Sequence, residues 1–137
     1  MNAVNHVAVW AAGIAQFILG AGWYTLLGPA WMAGIGKTKD QLMAEHGNSP
    51  LPYIIALVAA LVVAYTLAWL LPKLGAQSAA GGAKTGALLG LALIGTTFAQ
   101  AYGFEARPLS LWLINAGYMI VGMAVMGAIV GHWRKGA

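Results

Sequence analysis

Residues 52–71 read PYIIALVAALVVAYTLAWLL, an unbroken run with no charged side chain. A helix that crosses the ~30 Å hydrocarbon layer needs about 20 apolar residues. Only a helix or a closed barrel satisfies its own backbone in lipid. Residues 5–27, 84–102 and 109–133 qualify in the same way, each bounded by Gly, Pro or charge, with no Asp, Glu, Lys or Arg in its interior. The expectation is all-α: an integral membrane four-helix bundle, residues 1–137 forming a single transmembrane domain.

Composition agrees. Of 137 residues, 61% are hydrophobic and 7% charged, against roughly 25% charged in a soluble domain. The 19 glycines show no Gly-X-Y period, which removes collagen, and no polar low-complexity tract points to disorder. The absence of cysteine removes disulfide scaffolds, zinc–cysteine sites and iron–sulfur centres. The net charge of +4 comes from single bases at the ends of apolar runs, a pattern of membrane flanks rather than of nucleic-acid binding.

The first span has no Lys or Arg before it and ends in Trp23-Tyr24 instead of small residues, so it reads as retained, not as a cleaved signal. Two aromatic girdles fit four crossings: Trp10, Trp69 and Trp133 at one face, Trp23, Tyr53, Tyr102 and Trp112 at the other. Both termini then share a side with Lys73, Lys84, Arg134 and Lys135; the far side holds Lys37, Lys39 and Arg107 with Asp40, Glu45 and Glu105. Counting bases alone, four against three, both termini are expected to be cytoplasmic, dual insertion being the alternative. In the longest connection, residues 28–51, Thr38 and Gln41 stand at capping-box spacing and Gly47 offers a stop, which predicts a helix over 39–46. With Trp31, Met32 and Ile35 before it, the connection is expected along the lipid surface.

Small residues recur at every fourth position as Ala56, Ala60, Ala64 and Ala68, and as Gly82, Gly86 and Gly90, with Gly127 and Gly131 continuing the theme. Such stripes let helices approach closely where no hydrophobic effect draws them together. They serve either packing within one bundle or a homodimer. Amides are few. Gln16 lies near the middle of the first span, and Gln100 and Asn115, the latter near Tyr118, fall at similar depth toward the acidic side, where they are expected to meet. Either they pack, or Gln16, Gln100 and Asn115 line a track for a small neutral solute or ion.

The spans lack the buried carboxylate on which proton-coupled export relies. Glu105 with Arg107 reads as an interfacial ion pair ahead of Pro108. His6 and His132 sit at one membrane edge, shallower than a haem pair usually lies, and read with His46 as headgroup contacts. Ser49, Ser78 and Ser110 lie near interfaces with no Asp besides Asp40, so no Ser-His-Asp set forms. No catalytic residue, cofactor or metal ligand is expected, and the role is expected to be non-enzymatic.

Gly20-x-x-Trp23-Tyr24 followed by Trp31, Glu105-x-Arg107 and Asn115-x-x-Tyr118 resemble the family called domain of unknown function 1761, small bacterial four-span membrane proteins. The resemblance implies location, a bacterial cytoplasmic membrane, and span count, and brings no activity. Gly20, Trp23 and Gly28 are echoed by Gly95, Phe98 and Gly103, hinting at two parallel hairpin repeats. The expected job is interaction: a homo-oligomer or an accessory subunit of a membrane assembly, its partners being lipid and other membrane subunits. The alternative is the channel or carrier.

Overall fold

The computed structural model describes residues 4–133 and shows no strand among them. The elements are α1 (His6–Leu26), α2 (Gly28–Ile35), α3 (Lys39–His46), α4 (Leu51–Lys73), α5 (Ala79–Leu89), a π-helical segment (Gly90–Gly95), α6 (Thr96–Phe104) and α7 (Leu109–His132). Four helices are long and apolar enough to cross a membrane: His6–Leu26, Leu51–Lys73, Ala79–Phe104 and Leu109–His132. Arg134 and Lys135, counted in the orientation argument, lie outside the described residues.

Local chemistry sets the ends. The Asn5 side chain accepts from the Ala8 amide to start α1, and Ser78 accepts from Gly81 to start α5. The predicted helix over 39–46 forms, with the full capping box between Thr38 and Gln41. Gly36 and Gly75 take positive φ, and the amides that follow bond back to Met32 and Leu71. The turn after α6 has the same form, Arg107 N–H donating to Tyr102, but Ala106 holds the left-handed position at φ 55, a conformation that costs a non-glycine residue about 1 kcal/mol or more.

α7 is the hub, touching α1, α2, α4, α5, the π segment and α6. Its contact with α5 is the closest. A Cβ on Gly82 would run into the Gly127 carbonyl, and one on Gly127 into the Gly82 carbonyl. At Gly86 the obstacle is the Met123 carbonyl, and at Gly90 it is the Ile120 Cα at 3.0 Å. Gly131 lies against Ser78 and Gly82. The stripe is therefore buried inside the chain, backbone on backbone. Of the alanines on α4, Ala60 and Ala64 are buried against the core, while Ala56 is exposed.

Val9, Ala12, Ala64, Leu67, Leu71, Met123, Met126 and Val130 form the core at the end of the bundle nearer the termini. Gly13 admits Leu61 of α4, whose Cδ2 would lie 2.7 Å from a Cβ there. Toward the other end α4 parts from its neighbours, and residues 51–59 are exposed except at Leu57.

Two features depart from expectation. The connection 28–51 carries a second helix, α2, which packs on α7 where Gly34 meets Leu111, so this part is tied to the bundle. The third span starts before Lys84 and is interrupted by the π segment. Gly95 closes that segment whereas Gly20 lies within an uninterrupted α-helix, so the proposed repeat differs in backbone at its first matched position.

Gly86→Ala should destabilise the fold by at least about 1–3 kcal/mol, because the backbone of α7 must move to admit the methyl. Gly22 faces nothing within 4 Å, and Gly22→Ala should be neutral or stabilising by up to about 1 kcal/mol, since alanine favours helix. Thermal unfolding of both variants in detergent checks the pair.

Candidate functional site: a polar seam between α1, α6 and α7

Among the described residues the buried polar side chain of the bundle is Gln16, 2% exposed and midway along α1. Its Nε2 points to the Met119 sulfur at 3.7 Å, a weak acceptor, and its Oε1 has no hydrogen-bond partner. What makes room for it is Gly122, where any Cβ would collide with the carboxamide. The oxygen therefore rests on the bare face of the α7 backbone, where Cα–H groups offer only weak donation.

From Gln16 the seam climbs toward the acidic side. Tyr118 O–H donates to the Gln16 backbone carbonyl at 3.0 Å, and Gly20 leaves space for that hydroxyl. The Tyr118 ring meets Tyr24 edge-on at 5.4 Å. Tyr24 O–H donates to Asn115 Oδ1 at 2.7 Å, and Asn115 Nδ2 donates to Tyr102 Oη at 2.8 Å. Both ends of the Asn115 amide are engaged, each by a tyrosine. Two indoles flank the seam: Trp23 donates to the Ile114 carbonyl at 2.9 Å, and Trp112 to the Gly95 carbonyl, at the end of the π segment, at 2.8 Å. Trp31 of α2 lies edge-on to Tyr24, and Phe98 stacks on Tyr102.

Gln16, Tyr118 and Asn115 thus come together, linked by Tyr24. Gln100 does not join them. It is exposed on α6 and makes no hydrogen bond with any described residue, and the partners of Asn115 are Tyr24 and Tyr102 instead. From sequence Tyr102 reads as part of the aromatic girdle and Tyr24 as a residue of the family pattern. The available signal was a tyrosine inside each span at the depth of an intramembrane asparagine.

At the acidic face Glu105 and Arg107 pair at 3.1 Å, and Arg107 Nη1 reaches the Ile35 carbonyl at 3.3 Å, tying α2 to the α6–α7 turn. At the opposite end His6 Nδ1 lies 2.8 Å from the Tyr65 hydroxyl, joining α1 to α4, and Asn5 Nδ2 donates to the Trp133 carbonyl at 3.2 Å. No group of three or more His, Asp or Glu suited to a metal occurs among the described residues. The arrangement is chemically a set of hydrogen bonds and ring contacts that fixes α1, α6 and α7 in register.

A family described as protein of unknown function (DUF1761) matches residues 7–131. No curated protein and no solved structure matches the chain.

Tyr24→Phe should cost about 1–3 kcal/mol by leaving Asn115 Oδ1 without its donor. With Asn115→Leu it should show a coupling of about 0.5–3 kcal/mol, whereas Gln100→Leu and Asn115→Leu should add within about 0.5 kcal/mol. Unfolding measurements on the singles and doubles decide it: coupling in the second pair and none in the first would remove the seam as described.

Proposed function

We propose, for a chain that belongs to this family of unknown function, a non-enzymatic role as a helix-packing membrane subunit that assembles with copies of itself. The observation that carries the reading is Gln100. Its amide lies about one turn inside the end of a span, exposed, with no hydrogen bond to any described residue. An amide facing hydrocarbon leaves its groups unsatisfied, and in membranes such side chains find partners on neighbouring helices, contributing about 0.6–2 kcal/mol. The neighbouring hydroxyls of Thr96 and Thr97 are engaged by backbone carbonyls one turn back, so Gln100 is the polar group on this face that a second helix would satisfy. A heterologous membrane subunit could supply the same bond; a second copy is the partner whose own Gln100 is matched in depth.

The other reading is a channel or carrier along Gln16, Gln100 and Asn115. It draws support from the Gln16 oxygen without a partner. Against it stand the engaged Asn115 amide, the apolar core beyond Gln16, and the outward position of Gln100.

The proposed setting is a bacterial cytoplasmic membrane, as the family resemblance implies, with cytoplasmic termini on the count of Lys73, Lys84, Arg134 and Lys135. A reporter fused at Asn48 should then read as external. A cytoplasmic signal there, with an external one at the C-terminus, would reverse the orientation.

Because the chain has no cysteine, single cysteines report contacts cleanly. Gln100→Cys should form a disulfide-linked dimer on oxidation of native membranes, and Val7→Cys, exposed on α1, should not. In detergent, Gln100→Leu should lower the oligomer association constant about threefold to thirtyfold, the equivalent of one interhelical amide bond. A chain that is monomeric by light scattering and does not cross-link at position 100 would rule out self-assembly through this face.

A further inference from the structure

We propose that the start of α4 and the turn of α3 above it bind a phospholipid whose headgroup carries a primary ammonium. The site is an open groove of about 540 Å³ lined by Glu45, His46, Ser49, Leu51, Pro52 and Ile55. Its lining changes from polar on α3 and the turn after it to apolar on α4. Glu45, His46 and Ser49 precede the span, and Leu51, Pro52 and Ile55 belong to its first turns, where headgroup gives way to hydrocarbon.

The polar rim matches a phosphate–ammonium pair. Lys37 Nζ holds Glu45 Oε2 at 2.6 Å, which fixes the carboxylate and leaves Oε1 as an acceptor for an N–H donor. Ser49 Oγ accepts from the Leu51 amide at 3.2 Å, so its own proton is available to donate. The His46 ring offers an N–H in either of its neutral tautomers. Two donors for phosphate oxygens thus stand beside one anionic acceptor for an ammonium, and charge-assisted bonds of that kind are the stronger sort. A quaternary ammonium has no N–H to give Glu45, and a headgroup without an amine leaves Glu45 Oε1 without a donor.

Below the rim, Leu51, Ile55, Val58 and Val62 follow one another by four, three and four residues, the spacing of one helix face. All four are more than half exposed. Most of this face lies in the stretch 51–59 where α4 has parted from the bundle, and the described residues leave it open. An acyl chain lying along that face continues directly from a headgroup held at Glu45, His46 and Ser49. The site is separate from the Gln100 face on α6, and neither proposal depends on the other.

The test uses the full chain in detergent micelles carrying equal amounts of dioleoyl phosphatidylethanolamine, phosphatidylcholine and phosphatidylglycerol, with bound lipid read by native mass spectrometry. Phosphatidylethanolamine should be retained about tenfold over the other two, the ratio expected from one charge-assisted hydrogen bond. Glu45→Gln should remove most of that preference, and Ser49→Ala should lower phosphatidylethanolamine retention severalfold. Glu105→Gln, at the same face but away from the groove, should leave both unchanged. Glu45 and Ser49 are exposed, so unaltered thermal unfolding in these variants keeps the comparison clean. Equal retention of the three lipids, a preference for phosphatidylglycerol, or a phosphatidylethanolamine preference that survives both substitutions overturns the proposal.

Discussion

Backbone contact between α5 and α7 is the constraint on which the other contacts rest. Lipid chains are as apolar as leucine, so burial alone does not pull spanning helices together, and close van der Waals approach must supply the attraction. Gly82 against Gly127, Gly86 against Met123 and Gly90 against Ile120 provide it on one side of α7. With that side occupied by α5, α7 turns its other faces to α1 and α4. There Gly122 receives Gln16, and Met123, Met126 and Val130 meet Val9, Ala12, Ala64 and Leu67.

The two halves of the bundle are built differently. Toward the termini an apolar core dominates, with the His6–Tyr65 and Asn5–Trp133 hydrogen bonds at its edge, and α4 is engaged through Ala60, Ala64, Leu67 and Leu71. Toward the acidic side α4 departs, and hydrogen bonds that Tyr24, Tyr118, Trp23 and Trp112 donate and Tyr102 accepts take over the task of holding helices. Hydrogen bonds are directional where dispersion is not, so this half fixes rotation and register of α1 and α6 about α7. Gln16 marks the boundary, with one side chain oxygen left unbonded.

Much of this was legible in the sequence. The spans follow from run length, since hydrocarbon thickness sets helix length directly. The glycine stripe follows from fourfold spacing, and the helix over 39–46 from Thr38 and Gln41. The hub role of α7 was not legible, because all four spans are apolar on every side and hydrophobicity in lipid does not say which face meets protein. The position of Gln100 was missed for a definite reason. Depth along a helix can be counted from its end, but direction cannot be counted through the π segment at Gly90–Gly95. One extra residue in a turn rotates all that follows by about 100°. Asn115, on the uninterrupted α7, reads from sequence as a polar residue within a span, and its partners are the tyrosines. A phenol near a span end reads equally well as an interfacial anchor.

The most direct measurement of the central contact is a carbon–carbon correlation spectrum of glycine-labelled protein in lipid bilayers. A Cβ built on Gly82 would stand 3.3 Å from the Gly131 Cα, and one on Gly131 would stand 3.2 Å from the Gly82 Cα, so the two glycines face one another directly. A Gly82–Gly131 cross-peak is the predicted result. Its absence, with Gly82 showing transfer from lipid acyl protons instead, would mean that α5 presents its glycines to the bilayer and that α7 is not the hub.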